Sequence, residues 1–306
     1  MKPAMTTATT RTGMIRTDGA ELYHERRGSG PALLMISGGG GDAGYYTRVA
    51  ELLADEYTVL TYDRRGNSRS TVDDPAAPLR MAAQSADALA VLAHHDLASA
   101  LVFGGSGGAL IGLDLAARLP AAVDGLIAHE QPAIGLLPDA AAYRALFDEI
   151  VEITRREGPW PGYVRFITTI DRADSPELLH RRGGRRVLGW AARAGVRLAA
   201  HGPRALREVG RFMGNSPFLM TNEFAPFIAF EPDLAGLAAS GVPIAVGGGA
   251  DGRAYYPYRG GAAVAERLGV PLVEFPGGHV GYTEDPAAFA VILRKTLTEL
   301  RPDSHL

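Results

Sequence analysis

The apolar positions of the chain fall into two regimes separated by a break in rhythm. In the first, short unbroken apolar runs alternate with amphipathic ones. Pro31–Ile36, Tyr57–Tyr62, Ser99–Phe103 and Val123–Ala128 read as strands. Tyr46–Ala54, with Val49, Leu52 and Leu53 on one face, reads as a helix, as do Met81–Leu97 and Ala109–Leu119. Continuous apolar strands alternating with helices predict an α/β fold: a mostly parallel central sheet flanked by helices on both faces. Ahead of it, residues 13–28 predict a β-hairpin turning at Asp18-Gly19, a favoured two-residue turn.

The rhythm stops after about residue 135. From there to about 238 the pattern is helical, at Asp139–Arg156, Pro176–Arg182, Arg186–Ala200 and Pro203–Met213. It resumes with a strand at Val242–Val246, a helix at Tyr258–Leu268, a strand at Pro271–Phe275 and a helix at Pro286–Leu300. The expected organisation is an α/β core of residues 1–135 and 239–306 with a helical cap, 136–238, inserted between two strands. The insertion holds both tryptophans, Trp160 and Trp190, and many phenylalanines. Most of these rings pack the insertion together, and collectively they predict an apolar, aromatic underside facing a small-molecule site.

Composition narrows the chemistry. A net charge of −3 over 306 residues gives no footprint for nucleic acid or an anionic membrane. Without cysteine there is no disulfide, thiolate nucleophile or Cys-ligated metal. The only lysines are Lys2 and Lys295, which leaves no central candidate for a Schiff base or a phosphate loop. No metal or organic cofactor is expected. The first residues carry no apolar run of the signal-peptide type, so a cytoplasmic protein with a small-molecule substrate is the expectation.

The most informative segment is Gly104-Gly105-Ser106-Gly107-Gly108, which follows a strand and opens a helix. Gly-x-Ser-x-Gly in that context is the pattern of a nucleophile elbow. Flanking glycines let strand and helix approach a sharply turned serine, whose hydroxyl is then presented above the sheet.

With this motif the chain resembles cap-bearing enzymes of the α/β-hydrolase fold over nearly its whole length. The other carriers are Ser37-Gly-Gly-Gly-Gly-Asp42, Tyr62-Asp-Arg-Arg-Gly-Asn-Ser-Arg-Ser70, Gly247-Gly-Gly-Ala-Asp251 and Pro276-Gly-Gly-His279. The resemblance implies a triad of Ser106 as nucleophile, His279 as general base and Asp251 as the orienting acid. Glu130, after the strand ending at Ala128, is the alternative acid. His305 also follows the last core strands but is the penultimate residue. The oxyanion donors would be the N–H groups of Gly39, with Gly40 as alternative, and Gly107. Ser37 stands where many relatives have histidine.

The implied activity is hydrolysis of an ester or lactone of a small, largely apolar substrate through an acyl-enzyme. A carbon–carbon bond hydrolase and a proline iminopeptidase-like enzyme share the triad. The latter needs an acidic cap residue, for which Glu149, Glu152 and Glu223 are candidates. A non-hydrolytic biosynthetic or ligand-binding protein on the same fold is a further alternative. So is an NADP-binding protein. Gly39-x-Gly41-x-x-Gly44 is a literal dinucleotide fingerprint, with Asp63 to meet a ribose and Arg64 and Arg65 to meet a 2′-phosphate. Otherwise Asp63 and Arg65 brace the turn after their strand.

Overall fold

The computed structural model describes residues 9–170 and 181–301. Residues 176–180 of one expected cap helix, and His305, lie outside the described residues. The strands are β1 (Arg11–Thr17), β2 (Ala20–Arg27), β3 (Ala32–Ile36), β4 (Thr58–Tyr62), β5 (Thr71–Val72), β6 (Ala100–Gly105), β7 (Val123–His129), β8 (Ile244–Gly249) and β9 (Leu272–Phe275). They form one sheet in the order β1-β2-β4-β3-β6-β7-β8-β9, with β5 paired to β2. All pairings from β4 to β9 are parallel, and β2 joins β4 antiparallel. The hairpin register pairs Thr17 with Ala20, which leaves Asp18-Gly19 as the turn.

The period-2 alternation of the strands sorts the core into two layers. Leu34, Ile36 and Val102 face one side, with Val91 and Leu92 of helix Met81–His94 and Leu110 and Leu113 of helix Gly107–Arg118. Leu33, Met35 and Phe103 face the other, with Val49 and Leu53 of Thr47–Leu53 and Phe289 and Leu293 of Pro286–Glu299.

Between β7 and β8 the regular elements among the described residues are helical, from Ala140–Glu157 to Leu234–Ser240. Phe147, Ile150, Leu219, Met220 and Phe224 form a separate buried cluster there. None of the described helices is long and apolar enough to cross a membrane.

Two strands run on past their expected ends into glycines, β6 to Gly105 instead of Phe103 and, further, β8. β8 runs on through Gly247-Gly-Gly249 instead of ending at Val246. Glycine disfavours strands in isolation. Here the neighbours require it. A Cβ at Gly247 would lie 2.9 Å from the Phe275 ring, one at Gly248 2.5 Å from Tyr258, and one at Gly249 2.4 Å from the Gly278 carbonyl.

Candidate active site

The site lies at the C-terminal ends of β6, β7 and β9, where residues of the helical insertion join its lining. Ser106 follows β6 at φ 55° and ψ −121°, a conformation side chains rarely adopt. Backbone hydrogen bonds hold it there. Its N–H donates to the His129 carbonyl at 2.8 Å, and its own carbonyl accepts from Ala109 N–H at 2.9 Å. The elbow glycines are steric requirements. A Cβ at Gly104 would come 2.3 Å from the Gly108 carbonyl oxygen, and one at Gly108 2.1 Å from that of Ile36. Gly107 is the first residue of its helix, so its N–H has no intrahelical partner and sits at the positive end of the helix dipole.

His279 occupies the loop after β9. Its Nδ1 lies 2.6 Å from Glu130 Oε2. The other carboxylate oxygen, Oε1, accepts the Gly249 N–H at 2.8 Å. Glu130 is buried, follows β7 directly and holds φ 50°. Burial acts to raise its pKa, but the His279 hydrogen bond and charge, with the Gly249 N–H, hold it below the usual carboxylate range. An Nδ1–H held by a carboxylate leaves the Nε2 lone pair as the basic position of the ring. Ser106 and His279 line the same cavity.

Asp251, the expected acid, stands elsewhere. It lies in a single helical turn, Ala250–Gly252, with its side chain exposed; its backbone N–H donates to the Gly277 carbonyl at 3.1 Å. The carboxylate hydrogen-bonded to His279 belongs to Glu130. The reason is local geometry: the positive φ of Glu130 turns its side chain across the end of β8. A Cβ placed on Gly252 would already come to 3.0 Å from Glu130 Oε1.

Of the expected oxyanion donors, Gly39 and Gly107 both line the cavity. Among the described residues the Gly39 N–H has no hydrogen-bond partner. The alternative, Gly40, points its N–H at Glu223 Oε2 at 3.4 Å. Gly38 was not singled out from the sequence, yet a Cβ on it would stand 2.9 Å from Ser106 Cβ. His129 was missed as well. It is fully buried among Phe103, Phe275, Tyr282 and Phe289, neither ring nitrogen has a partner, and burial lowers its pKa to about 4.

The cavity has a volume of about 400 Å³, within the usual range for small-molecule sites. Rings of the helical insertion, Phe166, Phe212, Phe224 and Phe227, line it, and among the described residues no Asp, Glu, Lys or Arg does. The three acidic cap candidates are engaged elsewhere. Glu149 pairs with Arg165, Glu152 with Arg155, and Glu223 is fully buried against Arg64. The residues of the dinucleotide fingerprint are likewise committed. Asp63 accepts from Arg69 and from Ala43 N–H, Arg65 pairs with Asp87, and Leu219 packs on Gly39. Asp63 and Arg65 thus brace the turn after β4.

A strained serine between strand and helix, beside a histidine–carboxylate pair at the C-terminal edge of this sheet, defines an α/β hydrolase. The chain belongs to that family. A family model for the α/β hydrolase fold matches residues 31–168. The chain is 34% identical over 275 residues to the uncharacterized hydrolase YraK of Bacillus subtilis (strain 168), an alignment covering 89% of this chain and 90% of that protein. Among solved structures it is similar to a thermophilic esterase from Thermogutta terrifontis, with TM-score 0.69 and 20% identity over 95% of this chain and 99% of the other. It is also similar to the enol-lactonase from Burkholderia xenovorans LB400, with TM-score 0.66 and 20% identity over 94% and 100%.

Proposed function

We propose that the protein is a serine hydrolase of small, uncharged carboxylic esters or lactones, working through an acyl-enzyme on Ser106. The observation that carries this reading is the 2.6 Å contact between His279 Nδ1 and Glu130 beside the strained Ser106. Ser106 Oγ attacks the ester carbonyl while His279 Nε2 takes its proton. Glu130 fixes the ring tautomer and stabilises the imidazolium. The N–H groups of Gly39 and Gly107 receive the oxyanion. The tetrahedral intermediate collapses, and His279 returns the proton to the leaving alkoxide. Water then attacks the acyl-enzyme with His279 again as base.

The cavity wall supports an uncharged substrate. A charged amine or carboxylate brought among these rings would lose its hydration without gaining a counter-ion from the described lining. That weighs against a proline iminopeptidase-like role, which needs an anion in the pocket.

Turnover of p-nitrophenyl acetate and butyrate, with labelling by a fluorophosphonate, tests the proposal. Wild type should turn over the esters and be labelled, and Ser106→Ala should lose both, by at least about 10⁴-fold in kcat. Retained turnover in Ser106→Ala, or an inert and unlabelled wild type, sinks it.

A further inference from the structure

A buried, charge-paired attachment between cap and core converges on the loop that carries the expected oxyanion donor. Arg64 and Glu223 lie 159 residues apart, one after β4 and the other on the cap, and both side chains are wholly buried. Arg64 Nη1 donates to Glu223 Oε1 at 2.6 Å and Nη2 to Oε2 at 3.0 Å, a two-point fork that fixes orientation as well as distance. Asn67 Nδ2 donates to the same carboxylate at 2.9 Å.

The far side of this pair grips the Ser37–Gly40 backbone. Arg64 Nε donates to the Ser37 carbonyl at 2.9 Å, and Nη2 donates to that of Gly38 at 2.7 Å. The Gly40 N–H turns toward Glu223, and Asn215 Nδ2, also from the cap, donates to the Gly40 carbonyl at 2.8 Å. Residues on either side of Gly39 are therefore held by polar contacts, while the Gly39 N–H has no partner among the described residues and Gly39 itself lines the cavity. A Cβ on Gly38 would stand 2.9 Å from that of Ser106, so the loop packs closely on the serine. Glu223 itself closes a π-helical turn, Leu219–Glu223. Such turns are rare and recur at functional sites.

We propose that Glu223 is a positioning residue of the oxyanion hole. Through Arg64 and the Gly40 N–H, this cap carboxylate sets where the Gly39 N–H stands relative to Ser106. The cap is then part of the catalytic centre as well as its roof. The inference rests on the reading of Ser106 as nucleophile, and Glu223 acts only through the loop.

Three forms of the full chain test it: wild type, Glu223→Gln, and the double variant Arg64→Met/Glu223→Met. Glu223→Gln leaves a buried arginine without its counter-charge; the double variant removes both charges at similar volume, which commonly restores stability. On p-nitrophenyl butyrate, Glu223→Gln should lose about 10- to 100-fold in kcat with KM within about threefold, the signature of a displaced transition-state donor. The double variant should recover Tm without recovering kcat, because the Ser37 and Gly38 carbonyls lose their Arg64 donor. A trifluoromethyl ketone adds Ser106 across its carbonyl, with the hydroxyl proton passing to His279, and so places an oxyanion in the hole. Its affinity should fall in parallel with kcat/KM, while that of the unactivated methyl ketone holds. Should Glu223→Gln fail to fold, Glu223→Asp carries the same ketone comparison.

Recovery of kcat together with Tm in the double variant overturns the proposal and leaves Glu223 a structural tie. So does equal weakening of both ketones. An inert, unlabelled wild type fails earlier and for a different reason, since it removes the serine reading itself.

Discussion

Two carboxylates stand just past neighbouring parallel strands, and only one meets the histidine. Glu130 directly follows β7; Asp251 comes two residues after β8. Glu130 is buried, turned by its positive φ, and its two oxygens are taken by Gly249 N–H and His279. Asp251 is exposed, and among the described residues its carboxylate makes no hydrogen bond or ion pair. Chain order and strand position suit both. What separates them is desolvation: a carboxylate screened by water orients a ring weakly, whereas a buried one with fixed partners does so strongly.

The sharpest way to break this contrast is Glu130→Gln. The amide cannot stabilise an imidazolium and favours the wrong ring tautomer. The expected loss is about 10³- to 10⁴-fold in kcat with KM changed only a few-fold. Steady-state kinetics on p-nitrophenyl butyrate measures it. Retention of a tenth or more of wild-type kcat would reverse the assignment of the two corners.

Much of this site was legible in the sequence because its signals are local. The elbow glycines, the glycine-flanked His279 and the Ser37–Asp42 loop each need a backbone that only a short pattern can provide, and the pattern is visible. The choice between Glu130 and Asp251 was not legible in the same way. It depends on a positive φ at a glutamate and on lateral reach to the next strand, neither of which leaves a mark on residue type, while Asp251-Gly252 is an ordinary turn pair. The Arg64–Glu223 pair joins residues 159 apart. Read alone, Arg64 suits a 2′-phosphate and Glu223 an amine, and only the packed helical insertion makes them a buried couple. The glycine extension of β8 failed for the opposite reason, because tertiary crowding by rings and a carbonyl outweighed poor strand propensity.

A smaller effect separates the β7 corner by pH. His129, one residue before Glu130, is held at about 4 by burial in its aromatic nest. The unfolded chain binds that proton near pH 6.5, so His129 favours folding above pH 6.5 and loses that contribution as pH falls toward 4. A shift of this size corresponds to roughly 3 kcal/mol. His24, lowered to about 4 by burial and by the nearby His95 and His94, acts in the same direction. The depressed Glu130 adds its loss only at still lower pH, as its carboxylate protonates. His129→Phe removes no hydrogen bond, since neither ring nitrogen has one. Denaturant melts at pH 7 and pH 5 should show near-wild-type stability for His129→Phe at the first and greater stability than wild type at the second. An unchanged pH slope would show that the buried ring does not govern it.

The smallest expected effect is at Asp251, and it divides side chain from backbone. Asp251→Asn should leave kcat/KM within about twofold and stability within about 0.5 kcal/mol, as for surface substitutions generally. The backbone at the same position is another matter. Its N–H is tied to the Gly277 carbonyl at 3.1 Å, two residues before His279. Asp251→Pro deletes that donor. The Pro276–His279 loop then loses one of its ties to the end of β8, and His279 should be held less well against Glu130. The expected result is a several-fold fall in kcat for Asp251→Pro where Asp251→Asn has none. Equal losses in the two variants would return a role to the Asp251 carboxylate and erase the contrast between the corners.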